Sequence, residues 1–502
     1  MPPSAPDEPV DETLFASLGG HWQARWAHDP KPVWARHRLW SLLSGPSAGW
    51  HARIDRWWQA HRRPSVLWAS SHAVAGRVPA LVASGHREAL WAHADHLARH
   101  PSRYSSANNH RVAELAALWL VRAALPDAPW PCDELPQVLA DQLHPDGWPR
   151  EQSVAYLTHV LEWGALAHCA HPSAALAAPL GRGLAALCTA LTDRGHAFSI
   201  GDDGGDEVLP GDAPYAHDVA GCVASLLQAP GPPGWAPGQR AAWLGLHAAP
   251  PVRPPWRGSF PAGGLTVLRS PRAQVLFDHG PVGMAPLAGH GHADALALWL
   301  ALDGHPVLGS RGTSAYHQPR VRERERGSTS HSTVMVGGRS SSVPHDHPFL
   351  WHTQAAAVLE HVRLQGHGGE VAAHHRGLPT VTPHRHVQLD PGQLRVSDHL
   401  RGAGRGLVTR RWHLAPGWTA TVDRRVVRLR GPGPEVELQP AGPVRLEPWP
   451  HAVGYGEQVP AVTIVEEQPH RFPVDLVSTF RWSTERRGGH LAHQQACPSH
   501  GA

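Results

Sequence analysis

With 502 residues and 41% apolar content, the chain can bury a sizeable core in more than one domain, which excludes general disorder. A formal net charge of only +3 is too balanced for an electrostatically driven nucleic-acid binder. The 50 glycines and 50 prolines predict many turns and exclude one long coiled coil.

The N-terminal stretch from Met1 to Glu12 is acidic and proline-rich, with no basic region followed by an apolar run, and no segment approaches the roughly 18 apolar residues of a membrane span. A soluble, cytoplasmic protein is the expectation. Lys31, the only lysine among 45 basic residues, stands in His28-Asp-Pro-Lys-Pro32, which leaves almost no room for Schiff-base, pyridoxal or phosphate-loop chemistry. Histidine is the abundant titratable group, at 40 residues, beside 22 tryptophans. A codon bias towards Arg, Ala, Gly, Pro, His and Trp accounts for most of them, so position along the chain has to single out the working ones.

Helical spacing recurs at Trp34 to Leu43, Ala80 to Ala98, Arg111 to Ala124, Glu151 to Ala167, Ala174 to Leu191 and His217 to Leu227, with Pro/Gly breaks between. Serial helices without intervening strands indicate an all-helical bundle or toroid. In front of one helix stands Ser105-Ser-Ala-Asn-Asn-His110. Asn108 or Asn109 is there either an N-cap or, with His110, a grip for a substrate carboxylate at a helix N-terminus. In the segment Asp146 to Tyr156, Val154, Leu157, Leu161 and Ala165 form an apolar stripe. Gln152, Tyr156, His159 and Trp163 fall on another face, so Tyr156 is not obviously a core residue and is either a proton carrier or a packing residue. Trp57, Trp58 and Trp148 are candidates for sugar stacking, with core packing as the plainer reading. The loop Gly201-Asp-Asp-Gly-Gly-Asp-Glu207 reads as an exposed acidic turn. Its carboxylates lie in one loop, not in the facing pairs that a glycoside hydrolase requires.

Proline-rich segments at 229–234 and 248–255 read as a linker, and beyond about residue 258 the pattern changes to short alternating runs. These are Leu265 to Arg269, Ala273 to Phe277, Thr333 to Val336, Val387 to Leu389, Leu394 to Val396 and Thr419 to Val422, with turn signals at Gly337-Gly338 and Asp390-Pro-Gly392. They predict an antiparallel β-sandwich. In Gly289-His-Gly-His-Ala-Asp294, a strand would put His290, His292 and Asp294 on one face, whereas the Ala/Leu content that follows favours a helix. Glycines on both sides of His290 imply close approach of backbone or ligand. The five cysteines, Cys132, Cys169, Cys188, Cys222 and Cys497, contain no close pair and suggest neither a disulfide framework nor a cysteine zinc site.

Taken in order, these segments resemble the heparinase II/III-like polysaccharide lyases. The resemblance rests on Gly264-Leu-Thr-Val-Leu-Arg269, His290-Gly-His-Ala-Asp294, Gly304-His-Pro-Val-Leu308, Gly312-Thr-Ser-Ala-Tyr316 and Ser330-His-Ser-Thr-Val334. It extends to Asp398-His-Leu-Arg-Gly402 and Trp412-His413, and in the helical half to Asn108-Asn-His110, Glu151-Gln-Ser153 with Tyr156, and Gly201-Asp-Asp203. It implies an α+β multidomain fold, with an incomplete α/α toroid over residues 1–255 and an antiparallel β-sandwich over 256–502.

It also implies β-elimination at a uronic acid in the cleft between the two. Asn109 and His110 would neutralise the carboxylate, and Tyr156 and His290 would share the acid and base work, with Tyr156 the preferred acid. Asn108, Glu151, Gln152, Trp148, Tyr316 and Arg326 would contact the substrate. The family's structural zinc would fall on His292 and His331, but Ser310 stands where a carboxylate is expected, so a retained metal needs another carboxylate such as Asp294. The partner expected is an acidic glycan, with neither nucleic acid nor membrane, and a homodimer is possible. The alternative is a non-degradative glycan-binding member, or one acting on a small molecule, in a capsule or exopolysaccharide pathway.

Overall fold

The computed structural model describes residue 31 and residues 38–485, apart from 45, 64, 105, 106, 255 and 257. The acidic N-terminus, Ser105 and Cys497 lie outside the described residues, as does most of the helix expected at Trp34 to Leu43, of which a 3-10 turn at Trp40–Leu43 is described.

The first half is helical. Its principal helices are Trp50–His61, Val78–Ser84, Arg87–Arg99, Asn109–Ala124, Val154–Ala170, Ala174–Thr189 and Tyr215–Leu227, with shorter ones at Ser71–Ala75, Leu135–Asp141 and Gln239–Trp243. The single helix expected from Ala80 to Ala98 is broken at Gly85, which takes φ 68°, after which His86 accepts a hydrogen bond from Ala89 N and starts the next helix. A left-handed residue followed by a capping side chain ends one helix and begins another, whatever the apolar spacing says. Helix Val154–Ala170 is buried nearly all round and packs between Asn109–Ala124, Ala174–Thr189 and Tyr215–Leu227. Trp57, Trp58 and Trp148 are all core residues, at most 4% exposed, which decides against sugar stacking.

The second half is built on two large antiparallel sheets, of nine and eight strands, with a further two-stranded one at Val343–Pro344 and Trp351–Thr353. Strands Leu265–Arg269, Ala273–Asp278 and Leu298–Leu302 run side by side in the larger one. One face of these strands, with Leu268, Val275, Phe277, Leu298 and Leu300, meets Val371, Val387, Leu394 and Phe480 of the eight-stranded sheet in a shared core. The other face, with Leu265, Val267, Leu276, Trp299 and Ala301, joins the helical core. Burial on both sides explains why these strands read as continuous apolar runs. The turn signal Asp390-Pro-Gly392 joins strands Val381–Asp390 and Gln393–Gly402, with Gly392 at φ 81°. Asp398 is buried in a two-point ion pair with Arg385, at 2.7 and 3.0 Å, inside the sandwich.

Candidate active site

Where the helical half meets the larger sheet, a cavity of about 510 Å³ opens. Asn108, His110, Glu151, Tyr156, His290 and Tyr316, all singled out from the sequence, line it. So do Lys31, Arg38, His72, His159, Asp206 and Glu207, which were not assigned to a site.

The polar face of helix Val154–Ala170 forms one wall. Ser153 caps this helix by accepting from Tyr156 N at 3.1 Å, and its hydroxyl donates to Asp202 O at 2.7 Å, so the cap also holds the acidic loop. From the first turn the Tyr156 ring stacks on the His290 imidazole, with centroids 3.8 Å apart, and its hydroxyl lies 3.1 Å from that of Tyr316. Burial first, then the carboxylates of Asp206 and Asp202, push the Tyr156 phenol well above its usual value.

The segment carrying His290 is neither the strand nor the helix considered from its composition. It is an irregular loop, and regular structure resumes only at Leu298. A Cβ on Gly291 would overlap the Val282 carbonyl, so glycine is required for the close approach, and Ala288 and Leu296 take positive φ on either side. The loop nevertheless delivers both histidines to one acceptor. His290 Nδ1 lies 3.1 Å from Asp202 Oδ2, and His292 Nε2 lies 2.8 Å from Asp202 Oδ1. Asp294 goes elsewhere, to a buried pairing with Asp278 in which burial and mutual repulsion raise the Asp278 carboxyl, and burial raises that of Asp294.

Asp202 is therefore the hub, and the expectation of an exposed turn at 201–207 is corrected. Its carboxylate is fully enclosed and receives Thr313 Oγ1 at 3.1 Å and Arg322 Nη2 at 2.8 Å, with Arg322 Nη1 on the other oxygen. Burial opposes this charge, but Arg322 and the two histidines outweigh it and hold the carboxyl well below its usual range. Gly201 takes φ 66°, and a Cβ there would strike the Gln152 and His290 carbonyl oxygens. At the other end of the loop, Asp206 binds Lys31 at 2.7 Å and Arg38 at 2.9 Å. Glu207 is held at 2.7 Å by Arg240, which also pairs with Glu162 and Asp218. An acidic, glycine-rich run resembles a solvated turn until its partners are known, and those partners are distant in sequence. The lone lysine likewise belongs to the cavity, its ammonium 5.0 Å from the Tyr316 ring centroid and 4.8 Å from that of Tyr455.

Elsewhere in the lining, the rings of His110 and His159 each lie about 5 Å from that of His72. Burial depresses all three, His110 to about 4, so the wall is of neutral imidazoles at pH 7. Asn108 is the N-cap, its Oδ1 accepting from His110 N at 3.2 Å. Asn109 is fully buried behind the wall. Its Nδ2 donates to both Glu151 oxygens at 3.0 Å, while its Oδ1 has no partner. Burial raises Glu151, whose carboxyl therefore holds its proton more tightly than a free one. Trp148, Gln152 and Arg326 do not line the cavity. Trp148 Nε1 donates to Gln152, Gln152 donates to Gly263 O, and Arg326 donates to the carbonyls of His345, His347 and Leu350.

His292 and His331 lie side by side, with ring centroids 5.1 Å apart, and both His292 Nδ1 and His331 Nε2 are buried without a partner. His331 Nδ1 is 2.8 Å from Ser310 Oγ. The carboxylate that reaches His292 is that of Asp202, which Arg322 already holds. Two imidazoles and a hydroxyl do not supply the donor set a structural zinc takes, so these residues do not fit that metal.

Residues 253–483 match the family model described as heparinase II/III-like, C-terminal. A comparison with curated proteins finds no match. Among solved structures, a heparan sulfate lyase HepC mutant from Pedobacter heparinus superposes with a TM-score of 0.63 at 15% identity, over 95% of this chain and 84% of that one. A heparinase III structure gives 0.63 at 14% identity over 90% and 73%, and a chondroitin AC lyase mutant from Streptomyces coelicolor A3 gives 0.53 at 12% over 92% and 77%. At these identities the superpositions speak for the fold of the whole chain, while the match to the heparinase II/III-like C-terminal family belongs to residues 253–483.

Proposed function

We propose that this protein is a lyase that cleaves uronic-acid-containing poly- or oligosaccharides by β-elimination. The observation that carries the reading is the Tyr156–His290 pair, stacked at 3.8 Å in the wall of the cavity, with His290 anchored on a buried carboxylate. A heparan sulfate lyase, a heparinase III and a chondroitin AC lyase among the structural neighbours support it at the level of reaction class. In the same reading the helices form an incomplete α/α toroid.

The proton at C5 of a uronate is hard to remove because the carbanion forms beside a carboxylate. Hydrogen-bond donors on that carboxylate let the charge spread into it as an aci-carboxylate. His110 and Asn108 stand where such donors are needed, and burial raises the Glu151 carboxyl beside them. Asn109 then acts one step back, by fixing the Glu151 carboxyl. His290 donates Nδ1–H to Asp202, which leaves Nε2 as its basic nitrogen. It removes the C5 proton, the C–H electrons form the C4=C5 double bond, and the C4–O4 bond breaks with its pair on O4. Tyr156 supplies the proton to O4, since its raised pKa keeps the phenol protonated at rest.

Incubation with a panel of uronate glycans tests the reading. The expected result is near-ultraviolet absorbance from an unsaturated uronate, formed at least ~10²-fold more slowly by Tyr156→Phe and by His290→Ala. Glycan binding without product, unchanged by Tyr156→Phe, would instead favour a non-degradative binder.

A further inference from the structure

Far from the cavity, the edge of the eight-stranded sheet carries an unusual outer face. Strands Ala357–Gln365, Gly368–His375 and Val381–Asp390 run antiparallel, with Ala357–Gln365 outermost. Alternation turns Glu370 and His374 on the middle strand, and His384 and His386 on the third, to the side away from the core. On the edge strand the register shifts opposite Ala372 and Ala373, so that Ala372 faces His361 while Ala373 faces Leu359. This bulge lets consecutive residues, Glu360 and His361, both serve the same face.

The result is two neighbouring sets of two imidazoles and one carboxylate. In the first, Glu360 Oε1 lies 2.8 Å from His374 Nδ1 and 2.5 Å from His384 Nδ1, with the two rings stacked. In the second, His386 Nε2 lies 3.2 Å from Glu370 Oε2, and the His361 and His386 centroids are 5.5 Å apart. Within each set the three ligand atoms lie within 4.8 Å of one another.

We propose that this face binds two zinc-class divalent ions, one on Glu360, His374 and His384 and one on His361, Glu370 and His386. Two imidazoles and a carboxylate are an established zinc ligand set, with the fourth position left to water. Bond lengths of about 2.0–2.1 Å put tetrahedral ligand atoms about 3.4 Å apart, so small side-chain rotations suffice. Arg363, 3.5 Å from Glu370, is largely exposed and free to swing away. Each ion would tie the edge strand to both its neighbours, closing an edge otherwise open to pairing with another chain.

The test is zinc titration of chelator-stripped protein against a chromophoric chelator, for the wild type, Glu360→Gln, Glu370→Gln and the double variant. Isosteric changes at the exposed Glu360 and the half-buried Glu370 leave the metal-free fold intact, which circular dichroism checks, and other histidines contribute equally to all four. The expected result is one zinc equivalent fewer in each single variant and two fewer in the double. Zinc should also raise the melting temperature of the wild type but not of the double variant. Equal stoichiometry in all four proteins, or a wild-type melting temperature unmoved by zinc, overturns the proposal.

Discussion

Asp202 joins two tasks in one side chain: it fixes the His290 ring and neutralises the buried Arg322. Asp202→Asn keeps the shape and removes the charge, leaving the guanidinium uncompensated. Breaking a buried pair in this way costs about 3–5 kcal/mol, to be read from a denaturant titration, and turnover should fall at least ~10²-fold as His290 loses its fixed tautomer. Tyr156→Phe separates the two effects. It removes one hydroxyl whose partner, Tyr316, keeps other neighbours, so stability should change little while kcat falls by about 10²–10⁴-fold. A variant that lost stability and activity together at Tyr156 would make the tyrosine structural.

At the scale of elements, the site is assembled by irregular loops held on regular supports. Gly201 is the tightest of these junctions, because its positive φ and its crowding between two carbonyls both require glycine. Gly201→Ala should lose roughly 1–3 kcal/mol and much of the activity, as the Asp202 loop shifts. Gly85→Ala is the matched control: its φ is also positive, but nothing lies within 4 Å, so activity should be unaffected. The same distinction explains what was legible in the sequence. Helix Val154–Ala170 and strands such as Ala273–Asp278 follow from spacing, and Tyr156 stood out because it lies off the apolar stripe. Asp206 and Lys31 were hidden, and Asp202 stood out only as part of the resemblance at Gly201-Asp-Asp203, because their meaning depends on partners far along the chain, as in the separation of 175 between Lys31 and Asp206. Asn109 was read as a substrate contact because its helix-start position suits either role, and only packing shows it turned to Glu151.

Over the whole molecule, the histidine excess has a consequence for stability. His72, His93 and His413 are held well below their usual value by burial first, and His110, His279, His375 and His451 are depressed to about 4. Below about pH 6.5 the unfolded chain binds protons that the folded one refuses, so stability falls as pH drops, by about 1.4 kcal/mol per group per pH unit. The buried Asp278–Asp294 pair acts in the opposite sense, since its raised carboxyls favour the folded state as pH falls, but it is outnumbered. Thermal melts should therefore show the melting temperature dropping between about pH 7 and about pH 5.5, and a flat profile would contradict this balance. The central claim, that the Tyr156–His290 cavity performs elimination, is tested most directly by the mass of the products formed from a cleaved uronate glycan in heavy-oxygen water. Elimination adds no water, so the account predicts an unsaturated product free of the heavy label. Products carrying that oxygen, or a full panel of uronate glycans left intact, would contradict it.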